Sequence, residues 1–115
     1  MPESARPADA AFAAARDHFS AGLAHLQAGR AAAAEQDLRA SLALLPGRAS
    51  TLTNLAVALL QLDRPADALC CLDEVLAQVP QDVEALGHRG LALNRLHRSA
   101  DAAASFEQLV QLAPQ

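Results

Sequence analysis

A chain of 115 residues, 52% apolar, has enough hydrophobic mass for one small domain, and its net charge of −4 argues against a nucleic-acid binder, which needs a basic face. No stretch approaches about 18 continuous apolar residues, so no transmembrane helix is expected, and Glu3, Arg6, Asp9, Arg16 and Asp17 break up any signal-peptide core; a cytoplasmic protein is predicted. Alanine and leucine dominate, the only aromatics are Phe12, Phe19 and Phe106, and no run alternates as a strand does, which predicts an all-α fold.

The first predicted helix runs to "AGR", where Gly29 is free to take a left-handed turn. The second ends at Pro46. In the third, Leu52, Leu55, Ala56, Leu59 and Leu62 form one apolar stripe with steps of three and four. A break follows at "DRP", with Asp63 placed to cap the next helix and Pro65 suited to its first turn. That fourth helix buries Ala68, Leu69, Leu72, Val75, Leu76 and Val79 and stops at Pro80. Asp82 is placed to cap the fifth. At "LHRSAD", Ser99 is a candidate cap for the sixth, and its dipole favours Asp101. The sixth ends at Pro114, so turns are expected near 29–31, 46–49, 63–65, 80–82 and 97–99.

Pro46, Pro80 and Pro114 lie 34 residues apart, and aligning them aligns the chain. Gly22, Ala56 and Gly90 fall in register, as do Ala34, Ala68 and Ala102, then Leu38, Leu72 and Phe106, then Leu42, Leu76 and Val110, and finally Arg30, Arg64 and Arg98. The small residues of first helices should face the small residues of second helices, where a larger side chain would push two backbones apart. One helical pair cannot bury its apolar faces alone, so the pairs must stack.

The pattern resembles the tetratricopeptide repeat, a 34-residue helix–turn–helix unit, over residues 15–115. The resemblance implies an α-α superhelix, a solenoid of three antiparallel helix pairs. Its repeats would span 15–48, 49–82 and 83–115, with 1–14 extending the first helix and no C-terminal capping helix. The family's small residue at position 27 is looser here (Ser41, Val75, Leu109). Its aromatics at positions 4 and 11 are replaced by His18 and His25, Leu52 and Leu59, then Leu86 and Leu93.

What the resemblance implies about function is a protein-interaction module or scaffold that holds a partner peptide or helix in its concave groove. First helices would line that groove through Arg16, Phe19, Ser20, Leu23, Leu26 and Gln27, then Ser50, Thr53, Asn54, Val57, Leu60 and Gln61, then Glu84, Gly87, His88, Leu91, Asn94 and Arg95. An apolar strip (Phe19, Leu23, Val57, Leu91) between amide and hydroxyl groups suits an extended peptide or an amphipathic helix. Some members clamp a C-terminal carboxylate with Lys and Asn, then Asn, then Lys and Arg. Only Asn54 matches. Phe19, Leu23, Glu84 and His88 stand at the other four places, and Glu84 would repel a carboxylate, so heat-shock-chaperone tails are not expected ligands. Two alternatives stay open: the N-terminal repeat region of a larger glycosyltransferase or methyltransferase, and a relative of the three-repeat secretion chaperones.

No enzyme, cofactor site or metal site is read from the chain. His18 and His25 lie seven residues apart, ~10 Å along a helix, too far to share a metal, and read as packing or edge residues. His88 and His97 have no adjacent acid. Cys70 and Cys71 point about 100° apart on one helix, which suits packing rather than a disulfide or a zinc site. There is no glycine-rich phosphate loop. In the third unit Arg89 and Ala103 replace leucines (Leu55 and Leu69) and read as a partial polar outer face. Leu96, Val110 and Leu112 remain near an open end, so cover by further sequence or by self-association is expected.

Overall fold

The first helical pair shows how the rest is built. In a computed structural model that describes residues 6–112, α1 (Pro7–Gln27) turns back into α2 (Ala31–Leu44), and the motif recurs as α3 (Ala49–Gln61) with α4 (Pro65–Gln78) and α5 (Val83–Arg95) with α6 (Ser99–Leu112). All the regular structure among the described residues is helical. Pro114, the predicted end of the sixth helix, lies outside them.

Each first helix ends in the same turn. Gly29, Asp63 and His97 take left-handed φ angles of 77°, 58° and 59°. The following amides of Arg30, Arg64 and Arg98 then reach back to the carbonyls of His25, Leu59 and Leu93 at 2.8, 2.8 and 2.9 Å. This is a Schellman ending, in which two orphan carbonyls are satisfied by the chain as it leaves the helix. It corrects two expectations. Asp63 is the left-handed residue of the turn, one place too early to cap α4, whose N-cap is Arg64 and lacks a side-chain cap. Ser99 is already the first helical residue of α6. In both helices the preceding arginine pairs instead with a first-turn carboxylate, Arg64 with Asp67 and Arg98 with Asp101, each at 2.8 Å. Asp82 does cap α5, accepting from the Ala85 amide at 3.0 Å. Second helices α2 and α4 stop two residues before Pro46 and Pro80, because a residue before proline is pushed out of the α region.

The packing within pairs sets small residues against large ones, where small against small was expected. A methyl placed on Gly22 would stand 2.7 Å from Leu38 Cγ, and one on Gly90 would stand 2.5 Å from Phe106 Cζ. The glycines therefore make room chiefly for Leu38 and Phe106, more than for the alanines one turn away. Leu38, Leu55, Leu59, Leu72, Val75 and Leu93 are fully buried. First helices approach one another directly, α1 with α3 and α3 with α5, and so form an inner layer; α2, α4 and α6 pack outside it. The result is elongated, 60 × 27 × 24 Å.

Polar contacts between units reinforce the stack. Glu35 on α2 accepts from Arg39 at 2.9 Å and from Arg64 of the next unit at 2.8 Å. Arg89 corrects a further expectation. It faces inward, reaching Asp73 on α4 at 2.9 Å and the buried Ser105 hydroxyl on α6 at 2.7 Å. It is thus a bridge within the stack, whereas Ala103 is exposed as expected.

Candidate functional site

The three first helices present their free faces side by side, because each turns its buried face toward its own second helix, α1 through Ala15 and Gly22, α3 and α5 through their leucines. Ser20, Gln27, Ser50, Gln61, Glu84, Asn94 and the ends of Arg16 and Arg95 are exposed on this inner layer. Phe19, Leu23, Asn54, Val57 and His88 are half-buried, and Leu91 is 48% exposed. Phe19, Leu23, Val57 and Leu91 thus form an accessible apolar strip, with amides and hydroxyls beside it.

Two of the eighteen groove positions lie beneath this surface. Thr53 is 7% exposed and returns its hydroxyl to the Ala49 carbonyl at 2.9 Å; Leu60 is 6% exposed. Their burial follows from the contact of α3 with both α1 and α5, which narrows the floor around the central helix. Other polar groups are partly engaged. Asn54 donates to the Ser50 carbonyl at 2.8 Å, which leaves its own carbonyl oxygen to accept. Arg95 donates to the Leu60 carbonyl and so ties α5 to α3 across the groove.

Side-chain meetings between helices add residues that the sequence did not single out. Asp37 on α2 bridges the two α1 histidines, reaching His18 Nδ1 at 3.0 Å and His25 Nε2 at 3.4 Å, while Arg30 donates to His25 Nδ1 at 3.0 Å. The seven-residue spacing of the histidines hinted at a shared face, but nothing in it pointed to Asp37. A second group, Phe12 and Arg48, flanks a cavity at the α1–α3 junction. Neither belonged to the family's groove positions, since Phe12 lies before the first repeat and Arg48 is that repeat's last residue, in the loop leading into α3.

The chemistry of the remaining groups is that of a binding surface. Burial pushes the Cys71 thiol up to about 11, so it stays protonated and is a poor nucleophile at neutral pH. Hydrogen bonding from Arg39, helped by Arg64, holds the Glu35 carboxyl below its ordinary value against the opposing effect of burial. No group of three or more His, Cys, Asp or Glu among the described residues is arranged to hold a metal ion. No described helix is long and apolar enough to cross a membrane.

A family model described as tetratricopeptide repeat matches residues 53–115. No curated protein matches the sequence. Several solved structures share the fold. The TPR domain of Arabidopsis OM64 is 25% identical, with a TM-score of 0.87 over 91% of this chain and 87% of that one. The first TPR of Spaghetti (RPAP3), bound to the HSP90 peptide SRMEEVD, is 21% identical, with a TM-score of 0.85 over 90% of this chain and 82% of that one. The Sgt2 TPR domain from Aspergillus fumigatus is 18% identical, with a TM-score of 0.80 over 85% and 65% of the two chains.

Proposed function

This chain belongs to the tetratricopeptide repeat family, and on that footing we propose that it is a non-catalytic interaction module holding a partner peptide or helix along the face of α1, α3 and α5. The observation that carries the reading is the accessible strip of Phe19, Leu23, Val57 and Leu91 between polar groups. An apolar strip anchors alternate side chains of a ligand, and the flanking amides serve its backbone. Two similar structures, the first and second TPR of Spaghetti, hold an HSP90 peptide. The ligand of this chain is held differently, because Glu84 occupies a place where the carboxylate-clamping members carry a lysine. Replacing Val57 and Leu91 together with Asp tests the reading. Capture of peptides from a random library should fall at least about tenfold, with the helical circular-dichroism spectrum intact. Unchanged capture would move the binding site off this face.

A specific observation supports self-association as a second reading. Asp73, Leu76 and Ala77 line the α4 side of the cleft that α5 closes, and the same register on α6 gives Glu107, Val110 and Gln111. Those residues border an open cavity of about 450 Å³ with Ala103 and Phe106, and Val110 is 73% exposed. A second copy of the chain covers this face by continuing the stacking that α4 and α5 begin.

A further inference from the structure

At the mouth of the groove, α1 is longer than its counterparts, 21 residues against 13 in both α3 and α5. Its additional N-terminal turns carry Phe12, which stands 52% exposed. Phe12, Phe19 and Arg16 of α1 meet Arg48, Ser50 and Thr51 at the start of α3 around a cavity of about 340 Å³. The cavity continues directly into the strip through Phe19.

Its chemistry is uneven in a way that points to a ligand. Arg48 lies over the Phe12 ring, 5.7 Å from the centroid, which steadies the guanidinium while leaving its in-plane N–H groups free to donate. Neither Arg48 nor Arg16 forms an ion pair among the described residues, although Arg30, Arg39, Arg64, Arg89 and Arg98 all have polar side-chain partners. The start of α3 adds its dipole, and its first amides have no capping side chain. The equivalent junction between α3 and α5 has the opposite sign. Arg16 and Arg48 are matched there by Ser50 and Asp82, and Ser50 by Glu84. On a chain of net charge −4, two guanidiniums that form no ion pair among the described residues, set beside two phenyl rings, make a local basic patch.

We propose that the Phe12–Arg16–Arg48 cavity binds a carboxylate of an acidic peptide, with an apolar side chain of the same peptide seated between Phe12 and Phe19. The inference rests on the groove reading and assigns a polarity to it: the acidic part of the ligand lies over the first junction, away from Asp82 and Glu84. Two guanidiniums supply paired donors that a carboxylate can accept.

The test uses the full 115-residue chain and a library of random heptapeptides with free C-termini. Enriched peptides should carry Asp, Glu or a terminal carboxylate within two residues of an apolar side chain. Their affinity should fall steadily with added salt. The double variant Arg16→Gln/Arg48→Gln should weaken the best binder by about tenfold or more and flatten that salt dependence, while Arg98→Gln at the far end should do neither. Both arginines are exposed, so the melting temperature should hold. Remaking the binder as its C-terminal amide distinguishes the two sources of carboxylate, loss of binding assigning the terminus and retention a side chain. Enrichment of basic or uncharged peptides would overturn the proposal. So would acidic binders that ignore the arginine variant. If such binders are still lost with Val57 and Leu91 changed to Asp, the groove reading stands and this one falls. If the library yields no binder, both fall.

Discussion

The Arg89 guanidinium donates to the hydroxyl of Ser105 at 2.7 Å, joining α5 to α6 at a place where the preceding unit uses the buried Leu55. Ser105 is fully buried, and the same guanidinium reaches Asp73 on α4 at 2.9 Å. One side chain therefore connects three helices. Arg89→Ala removes a charged hydrogen bond to a buried hydroxyl, and should cost about 1.5–3 kcal/mol in chemical denaturation. Arg89→Leu restores the apolar contact of the middle unit and should cost less than the alanine change, because a packed hydrophobe replaces the polar bridge. An equal loss for both variants would mean that the Ser105 bond sets the stability of this junction.

Close approach within pairs gives a coupled prediction. Gly90→Ala gains roughly 1 kcal/mol in helix propensity. Its methyl, however, would stand 2.5 Å from the Phe106 ring, and overpacking of that kind costs about 1–3 kcal/mol. The single change should be neutral to destabilising. Combined with Phe106→Leu, it reproduces the Ala56–Leu72 pairing of the middle unit, and the double variant should be more stable than the sum of the singles predicts. Ala68→Leu, at a fully buried position, should lose about 1–3 kcal/mol. Thermal melts of wild type, the two single variants, the double variant and Ala68→Leu check all of these statements.

Acid should weaken the junction between the first two units. Arg39 foremost, with Arg64, holds the Glu35 carboxyl below its ordinary value of 4.5. A depressed folded-state value contributes stability that is complete above the unfolded value and disappears as pH falls through the folded one. Wild type should therefore melt above Glu35→Gln at neutral pH, and the two should converge as pH drops below 4.5. A constant difference across that range would show that Glu35 acts through packing.

The exposed Val110 face makes concentration matter. Sedimentation of the chain over a wide concentration range should reveal dimers or larger assemblies, and Val110→Glu should weaken them by placing a charge where an apolar contact forms. A monomer at high concentration would overturn self-association through α6.

Local sequence was enough for the helices because their signals repeat and act over a few residues. Prolines at fixed intervals, a position that tolerates left-handed φ and small residues in a 34-residue register specify six helices and a stacking fold wherever they occur together; that the glycines face Leu38 and Phe106 rather than the register alanines came from the structure. Even there, the assignment of caps to Asp63 and Ser99 failed. A Schellman ending and a cap compete for the same short turn, and the backbone bonds closed it first. The inner-face residues followed from the family register, but Thr53 and Leu60 sank beneath the surface because α3 is pressed from both sides. Only the tertiary structure brought Asp37 between His18 and His25, Arg89 between Asp73 and Ser105, and Arg48 over Phe12. Each of these meetings joins helices or loops distant in sequence. Their geometry depends on how closely two backbones approach, and that distance is set by the whole packed stack rather than by any local stretch of chain.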